Sequence, residues 1–216
     1  MYLIKTPWLL KKLYPELIWN KNQHNRCIYL TFDDGPIPIV TTHILNILKQ
    51  YNAKATFFCI GDNVAKHPDI FKQVTDDGHA IGNHTYNHLK GWKTDNKTYL
   101  DNFLQADKIL DTPLFRPPYG RIKKQQIRDL QAARPDIKII MWDVLSGDFD
   151  INLSPEACLQ NILKHTEAGS IVVFHDSLKA YDRVKYALPK ALEVWSKAGY
   201  EFLPLAPRRG NAVGSG

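Results

Sequence analysis

The 216-residue chain is poor in cysteine, with only Cys27, Cys59 and Cys158. An odd number at wide spacing is not a disulfide framework. Cys27 and Cys59 lie in apolar runs that read as strands, where a thiol packs as a small hydrophobe, and such usage suits a reducing compartment. No apolar run approaches the ~20 residues of a membrane span. There is no internal repeat and no low-complexity linker. The stretch Met1–Pro7 lacks a basic region, an apolar core and a small-residue cleavage site, so no signal peptide is expected. The expectation is therefore a cytoplasmic protein, or one peripheral to the inner face of a membrane. No compact Lys/Arg run is interleaved with aromatics, which argues against a nucleic-acid partner. Nothing in the sequence specifies an oligomeric state.

What is present is an ordinary globular composition, 44% hydrophobic and 23% charged. A chain of this length buries a sizeable core without disulfides or a structural metal, so a bound metal points to catalysis. The net charge of +6 is spread over the chain. It serves solubility or an anionic partner.

Strand-like and helix-like segments alternate. Extended runs are read at residues 27–33, 55–60, 80–83, 114–116, 138–144, 170–175 and 200–203, and helical ones around 44–48 and over 69–77, 99–110, 123–133, 155–166 and 184–198. Short apolar runs bounded by turn residues fit strands buried on both faces. Their alternation with helices implies βα units and a mostly parallel sheet of about seven strands, compatible with a barrel. Polar residues then fall at strand ends: Asp33-Asp34, His84, Arg116, Asp143, Asp148 and His175-Asp176. In parallel α/β folds such residues converge at one mouth.

Read singly, each group has a plain alternative. His84 and His88, four apart, suit one face of a helical turn and one ion, or are two surface histidines. Asp33-Asp34 before Gly35-Pro36 supplies a metal ligand and a base, or a solvated acidic turn. Arg116-Pro-Pro-Tyr119-Gly120 is stiff and leaves the Tyr119 and Gly120 amides as donors for an oxyanion, or is a loop. His175 ends a strongly apolar strand, where a hydrogen-bonded core histidine is the usual finding.

Together, TFDDGP (31–36), HTYNH (84–88), RPPYG (116–120), WDVLSGDF (142–149) and VVFHDS (172–177) resemble, in order, the five motifs of the polysaccharide deacetylases, carbohydrate esterase family 4 with its NodB homology domain. The resemblance runs from about Arg26 to Leu205. It implies a distorted (β/α) barrel and removal of N-acetyl groups from amino sugars in peptidoglycan, chitin-like or lipid-linked glycans. It assigns Asp33 as general base, and Asp34, His84 and His88 as ligands of one divalent ion, Zn2+ first, with Ni2+, Co2+ or Cu2+ as alternatives. Thr85 braces the histidine loop, Arg116 holds Asp33, and the Tyr119 amide serves the oxyanion. His175 is the general acid, and Asp148 raises its basicity.

Two positions depart from the family. Phe149 stands where Trp is common, and Val173 where Leu is common. With Trp142 they make up the expected acetyl pocket, so its shape and the acyl group accepted are open. The other readings are a metal-dependent amidase for a small formamide or cyclic amide, and an inactive carbohydrate-binding module. Retention of Asp33, Asp34, His84, His88 and His175 speaks against the module.

The expected domain layout is an N-terminal extension over 1–25, the catalytic domain over 26–206, and a disordered tail or cloning remnant over 207–216. In the extension, Thr6 reads as a helix cap and Pro7 as the first helical residue. Leu9, Leu10, Leu13, Leu17 and Ile18 mark an apolar side that packs across the barrel. With Trp8, Trp19 and the nearby lysines, the same side also suits contact with an anionic membrane.

Overall fold

The structure, a computed structural model, describes residues 2–21 and 26–205. The expected tail lies outside them. The strands are β1 (Cys27–Asp33), β2 (Thr56–Cys59), β3 (Ala80–Asn83), β4 (Leu114–Phe115), β5 (Lys138–Ile139), β6 (Val144–Leu145), β7 (Ile171–His175) and β8 (Glu201–Phe202). They pair in the order β5-β4-β3-β2-β1-β7-β6, with β8 beside the start of β1, and every strand pair is parallel. The sheet curls into a half-barrel. Helices α1 (Trp8–Leu13), α2 (Val40–Gln50), α3 (Gly61–Lys66), α4 (Pro68–Asp76), α5 (Asn96–Leu110), α6 (Lys124–Ala133), α7 (Pro155–His165) and α8 (Tyr181–Lys197) accompany it. No helix among the described residues is long and apolar enough to cross a membrane.

The central strands are buried on both faces, as parallel strands are when helices cover them. Phe32 stacks between Phe57 and Phe174, with centroids 5.0 and 5.7 Å away, in a core shared with Ile44 and Leu48 of α2 and Leu188 of α8. Tyr99, Phe103, Phe115 and Leu130 form a second cluster. Phe58, Leu114, Ile140 and Ile171 form a third.

The single strand expected over 138–144 is instead two, and they lie at opposite ends of the pairing order. Residues 140–143 cross between those ends. The physical reason is a buried cation. Arg116 turns the carbonyls of Ile140 and Met141 inward, donating to them from Nε (3.3 Å) and Nη2 (2.9 Å). Carbonyls so engaged are lost to a sheet ladder.

The N-terminal segment covers this crossing. Ile18 bridges Ile140 in parallel, Lys5 bridges Val144 antiparallel, and Asn20 bridges Ser170. Leu17 and Trp19 are buried and Leu10 packs beside them, while Trp8, Leu9 and Leu13 stand exposed. The expected cap geometry is not found. Pro7 is the N-cap, without a side-chain bond, and Thr6 donates to the Trp142 carbonyl at 2.8 Å. Asp143, expected at the common mouth, is tied to Lys5, Lys11 and Ser170. It anchors this segment instead.

Candidate active site

Strand order, not sequence order, assembles the mouth. Asp33 ends β1 and His175 ends the neighbouring β7, paired in register. Asn83 ends β3 and pairs with Phe115 of β4, so the next residues, His84 and Arg116, are also neighbours. The His84 Nδ1–H donates to the Arg116 carbonyl at 2.8 Å.

The two adjacent aspartates separate because Asp34 leaves the strand with φ 86, a left-handed conformation that few non-glycine residues adopt. Asp33 accepts from Arg116 Nη1 at 2.7 Å. Asp34 faces the histidines instead, its Oδ1 3.7 Å from His84 Nε2 and 3.3 Å from His88 Nε2. The Gly35–Pro36 peptide is cis. A Cβ at Gly35 would collide with the Asp176 carboxylate. That carboxylate accepts from the Gly35 amide at 2.9 Å and the Thr41 hydroxyl at 2.7 Å, and burial pushes its pKa up to about 8. Asp176 thus buttresses the turn that presents Asp34. Its place directly after His175 is the only sequence signal for it.

The paired histidines do not lie on a helical turn. They sit on an irregular loop in which Thr85 (φ 63) and His88 (φ 56) are both left-handed. Three-dimensional closure, rather than helical period, brings them together. The Thr85 amide donates to Asn83 Oδ1, and its hydroxyl accepts from the Leu89 amide, which ties the loop across both positions.

Asp34, His84 and His88 offer ligand atoms all within 4.8 Å of one another, and this donor set fits a divalent ion. Asp34 Oδ1 is buried with no hydrogen-bond partner, a costly state for a carboxylate oxygen that a cation relieves. Burial and the neighbouring His88 hold the His84 pKa well below its usual value, and burial likewise lowers that of His88. Both shifts favour the neutral imidazole that a metal ligand must be. With Nδ1 bonded to the Arg116 carbonyl, His84 turns its Nε2 lone pair to the site.

Arg116 is completely buried. Nη1 also donates to Thr31 Oγ1 at 2.8 Å, and the guanidinium lies 4.1 Å from the centroid of the Phe58 ring. Burial lowers its pKa and Asp33 opposes the shift. A planar fork serves acceptors on several sides at once, and a lysine ammonium does not. Arg116→Lys is expected to lower kcat on the order of 10²-fold through misplacement of Asp33, with KM changed far less. Steady-state kinetics check this, and a change confined to KM would indicate a substrate contact instead.

At the end of β7, His175 Nδ1–H donates to Asp148 Oδ1 at 2.7 Å, and the His175 amide donates to Asp148 Oδ2 at 2.6 Å. Burial opposes the imidazolium. Asp148, by charge and hydrogen bond, then Asp34 and Asp33, outweigh burial and bring the His175 pKa up to about 10. Arg183 Nε donates to the Asp148 carbonyl. Tyr119 is left-handed (φ 59) in a short 3₁₀ turn. The Gly120 amide, expected to be available, is bonded to the Pro117 carbonyl at 2.9 Å. That leaves Tyr119 as the donor of this pair.

The Phe149 and His175 rings meet in a T-shaped arrangement with centroids 5.4 Å apart, Val173 is buried two residues before His175 on the same strand face, and Trp142 packs against Gly120. Tyr2 joins them without any sequence pattern to announce it. Its ring lies 4.9 Å from that of Phe149 and its hydroxyl donates to Asp150 at 3.0 Å, contacts that span most of the chain.

The polysaccharide deacetylase family model matches residues 20–134. The chain belongs to the polysaccharide deacetylase family. Its site contains the Asp-His-His group of a metal-dependent deacetylase. A peptidoglycan-N-acetylglucosamine deacetylase of Bacillus cereus is 33% identical over 205 residues, covering 92% of this chain and 96% of that protein. A chitooligosaccharide deacetylase of Azorhizobium caulinodans is 34% identical over 161 residues, covering 71% and 75%. Two longer peptidoglycan deacetylases are matched over 56% and 39% of their own length. The crystal structure of the Bc1960 peptidoglycan N-acetylglucosamine deacetylase, in complex with 4-naphthalen-1-yl-N-oxidanyl-benzamide, superposes with a TM-score of 0.84 at 31% identity, covering 93% of this deacetylase chain and 95% of the other.

Proposed function

We propose that the protein hydrolyses the acetamide of an N-acetylated amino sugar in a glycan. The observation that carries this reading is the unpartnered Asp34 Oδ1 beside two histidines, with the Asp33–Arg116 and His175–Asp148 pairs at the ends of neighbouring strands. Asp34, His84 and His88 would hold the ion. Zinc is our first assignment, since two imidazoles and a carboxylate suit it, and nickel, cobalt or copper suit the same donors. When bound, such an ion supplies Lewis acidity to the acetamide carbonyl and to water.

The protein's residues do the rest. Asp33, fixed by Arg116, takes the proton as water attacks the carbonyl carbon. The Tyr119 N–H donates to the developing oxyanion, a contact worth about 3 kcal/mol. His175 gives its proton to the amine nitrogen as the C–N bond breaks, because an unprotonated amide nitrogen is a very poor leaving group. Acetate and a free amino sugar result.

Mass spectrometry of products from a panel of N-acetylated oligosaccharides, lipid-linked amino sugars and small amides tests this reading. Loss of one acetyl group from the glycans, with the small amides intact, is the expected outcome. Hydrolysis confined to formamides or cyclic amides would replace it with the small-molecule amidase reading.

A further inference from the structure

Near His88 the surface carries cations that form no salt bridge with a carboxylate among the described residues. Elsewhere, several helix-surface lysines bind an acid four residues away, among them Lys66 with Asp62, Lys72 with Asp76, Lys97 with Asp101 and Lys197 with Glu193. Segments 90–93 and 121–124, which touch one another, carry cations without such a partner. Among the described residues, no carboxylate forms a salt bridge with Lys90, Lys93, Arg121 or Lys124. The acid nearest in sequence to the first segment, Asp95, caps α5 by accepting from the Thr98 amide at 2.9 Å.

Two of these cations rest on aromatic rings. Lys90 Nζ is 5.3 Å from the centroid of the Tyr119 ring, and the Arg121 guanidinium is 4.2 Å from that of Trp92. Both rings belong to residues that are more than half exposed. The Trp92 indole donates to the Ile122 carbonyl at 3.1 Å, and a Cβ at Gly91 would collide with the Arg121 carbonyl, so the two segments hold one another in place. The Tyr119 ring also lies 4.6 Å from that of His88. A continuous ridge thus leads outward from the histidines through Tyr119 and Lys90 to Trp92 and Arg121. A guanidinium stacked on an indole keeps its N–H edge for an anion and loses little freedom on binding one. Exposed aromatic rings beside it suit the C–H face of a sugar.

We propose that this ridge is a subsite for an anionic glycan, in which Lys90 and Arg121 receive an acidic group carried next to the sugar being deacetylated. The proposal rests on the deacetylase reading and narrows it, from N-acetylated glycans in general to those bearing acidic substituents rather than neutral chitin-like chains.

The test uses the metal-loaded full chain and tetrasaccharides of one length: neutral N-acetylglucosamine, a version bearing lactyl carboxylates, its methyl ester, and a phosphorylated version. Acetate release is expected to show kcat/KM about tenfold higher for the carboxylate form than for its ester, equivalent to about 1.4 kcal/mol, with the advantage shrinking in high salt. In Lys90→Gln/Arg121→Gln the advantage should vanish, with the neutral tetramer changed less than about twofold. A phosphate form as good as the carboxylate form would support a subsite for either anion, and a poorer one a subsite for carboxylate. No preference for acid over ester, or a preference that survives the double substitution, would overturn the proposal. Calorimetric binding of the carboxylate and ester forms separates the two readings. If no tetramer releases acetate, the deacetylase reading fails, and equal binding of acid and ester overturns the ridge by itself.

Discussion

Asp33→Asn should purify with its metal and with turnover reduced by about 10²–10⁴-fold, the usual contribution of a positioned base, whereas His84→Ala should lose metal and activity together. The division follows from the left-handed turn at Asp34. Asp33 is committed to Arg116 at 2.7 Å, while Asp34 keeps an unpartnered oxygen toward both histidines. Asparagine at 33 retains an acceptor for Arg116 but removes its counter-charge. A buried charge left unpaired costs about 3–5 kcal/mol, so thermal unfolding must accompany the kinetics. Metal content by mass spectrometry decides the matter, and an Asp33→Asn protein that is folded and empty would overturn the assignment.

The second large effect concerns the alkaline limb of kcat/KM. His175 is held protonated to about 10, against burial, by Asp148 and then by Asp34 and Asp33. As the donor to the amine it is competent while protonated, so the rate falls as pH rises through its pKa. A dication at Asp34 offsets one of the supporting negative charges, which places the limb of the loaded enzyme below about 10. Asp148→Asn removes the strongest support and should move the limb to lower pH. His175→Asn should abolish the limb and most of the activity. The same raised pKa contributes stability that is fully present below about 6.5 and lost as pH rises toward about 10. Urea unfolding across that range checks the sign. An alkaline limb unchanged in both variants would show that His175 is not the acid.

The histidine pair comes together for a reason other than its spacing of four. Spacing of four suggests a helical turn, yet His84 and His88 meet across a loop with left-handed backbone at 85 and 88. The crossing at 140–143 shows the reverse. Ile140 and Met141 are apolar like residues of a strand, but their carbonyls serve Arg116. Local composition does not record a demand made by a buried cation 24 residues upstream in the chain.

Residue order alone carries the alternation of apolar strands and helices, the parallel sheet it implies, and the polar residues at strand ends, because burial on two faces and the turn chemistry of Gly and Pro act locally. It also carries the identity of the five motifs, since their chemistry resides in residue types at short spacing. Three-dimensional packing settles the rest. It places β5 and β6 at opposite ends of the pairing order and draws Asp143 away from the mouth to Lys5 and Lys11. It brings Tyr2 onto Phe149 and Asp176 under Gly35. It buries Leu17 and Trp19 while leaving Trp8, Leu9 and Leu13 outside. Each of these contacts joins residues far apart in the chain, and its free energy depends on which groups meet once the sheet has curled, a quantity that no local window of sequence contains.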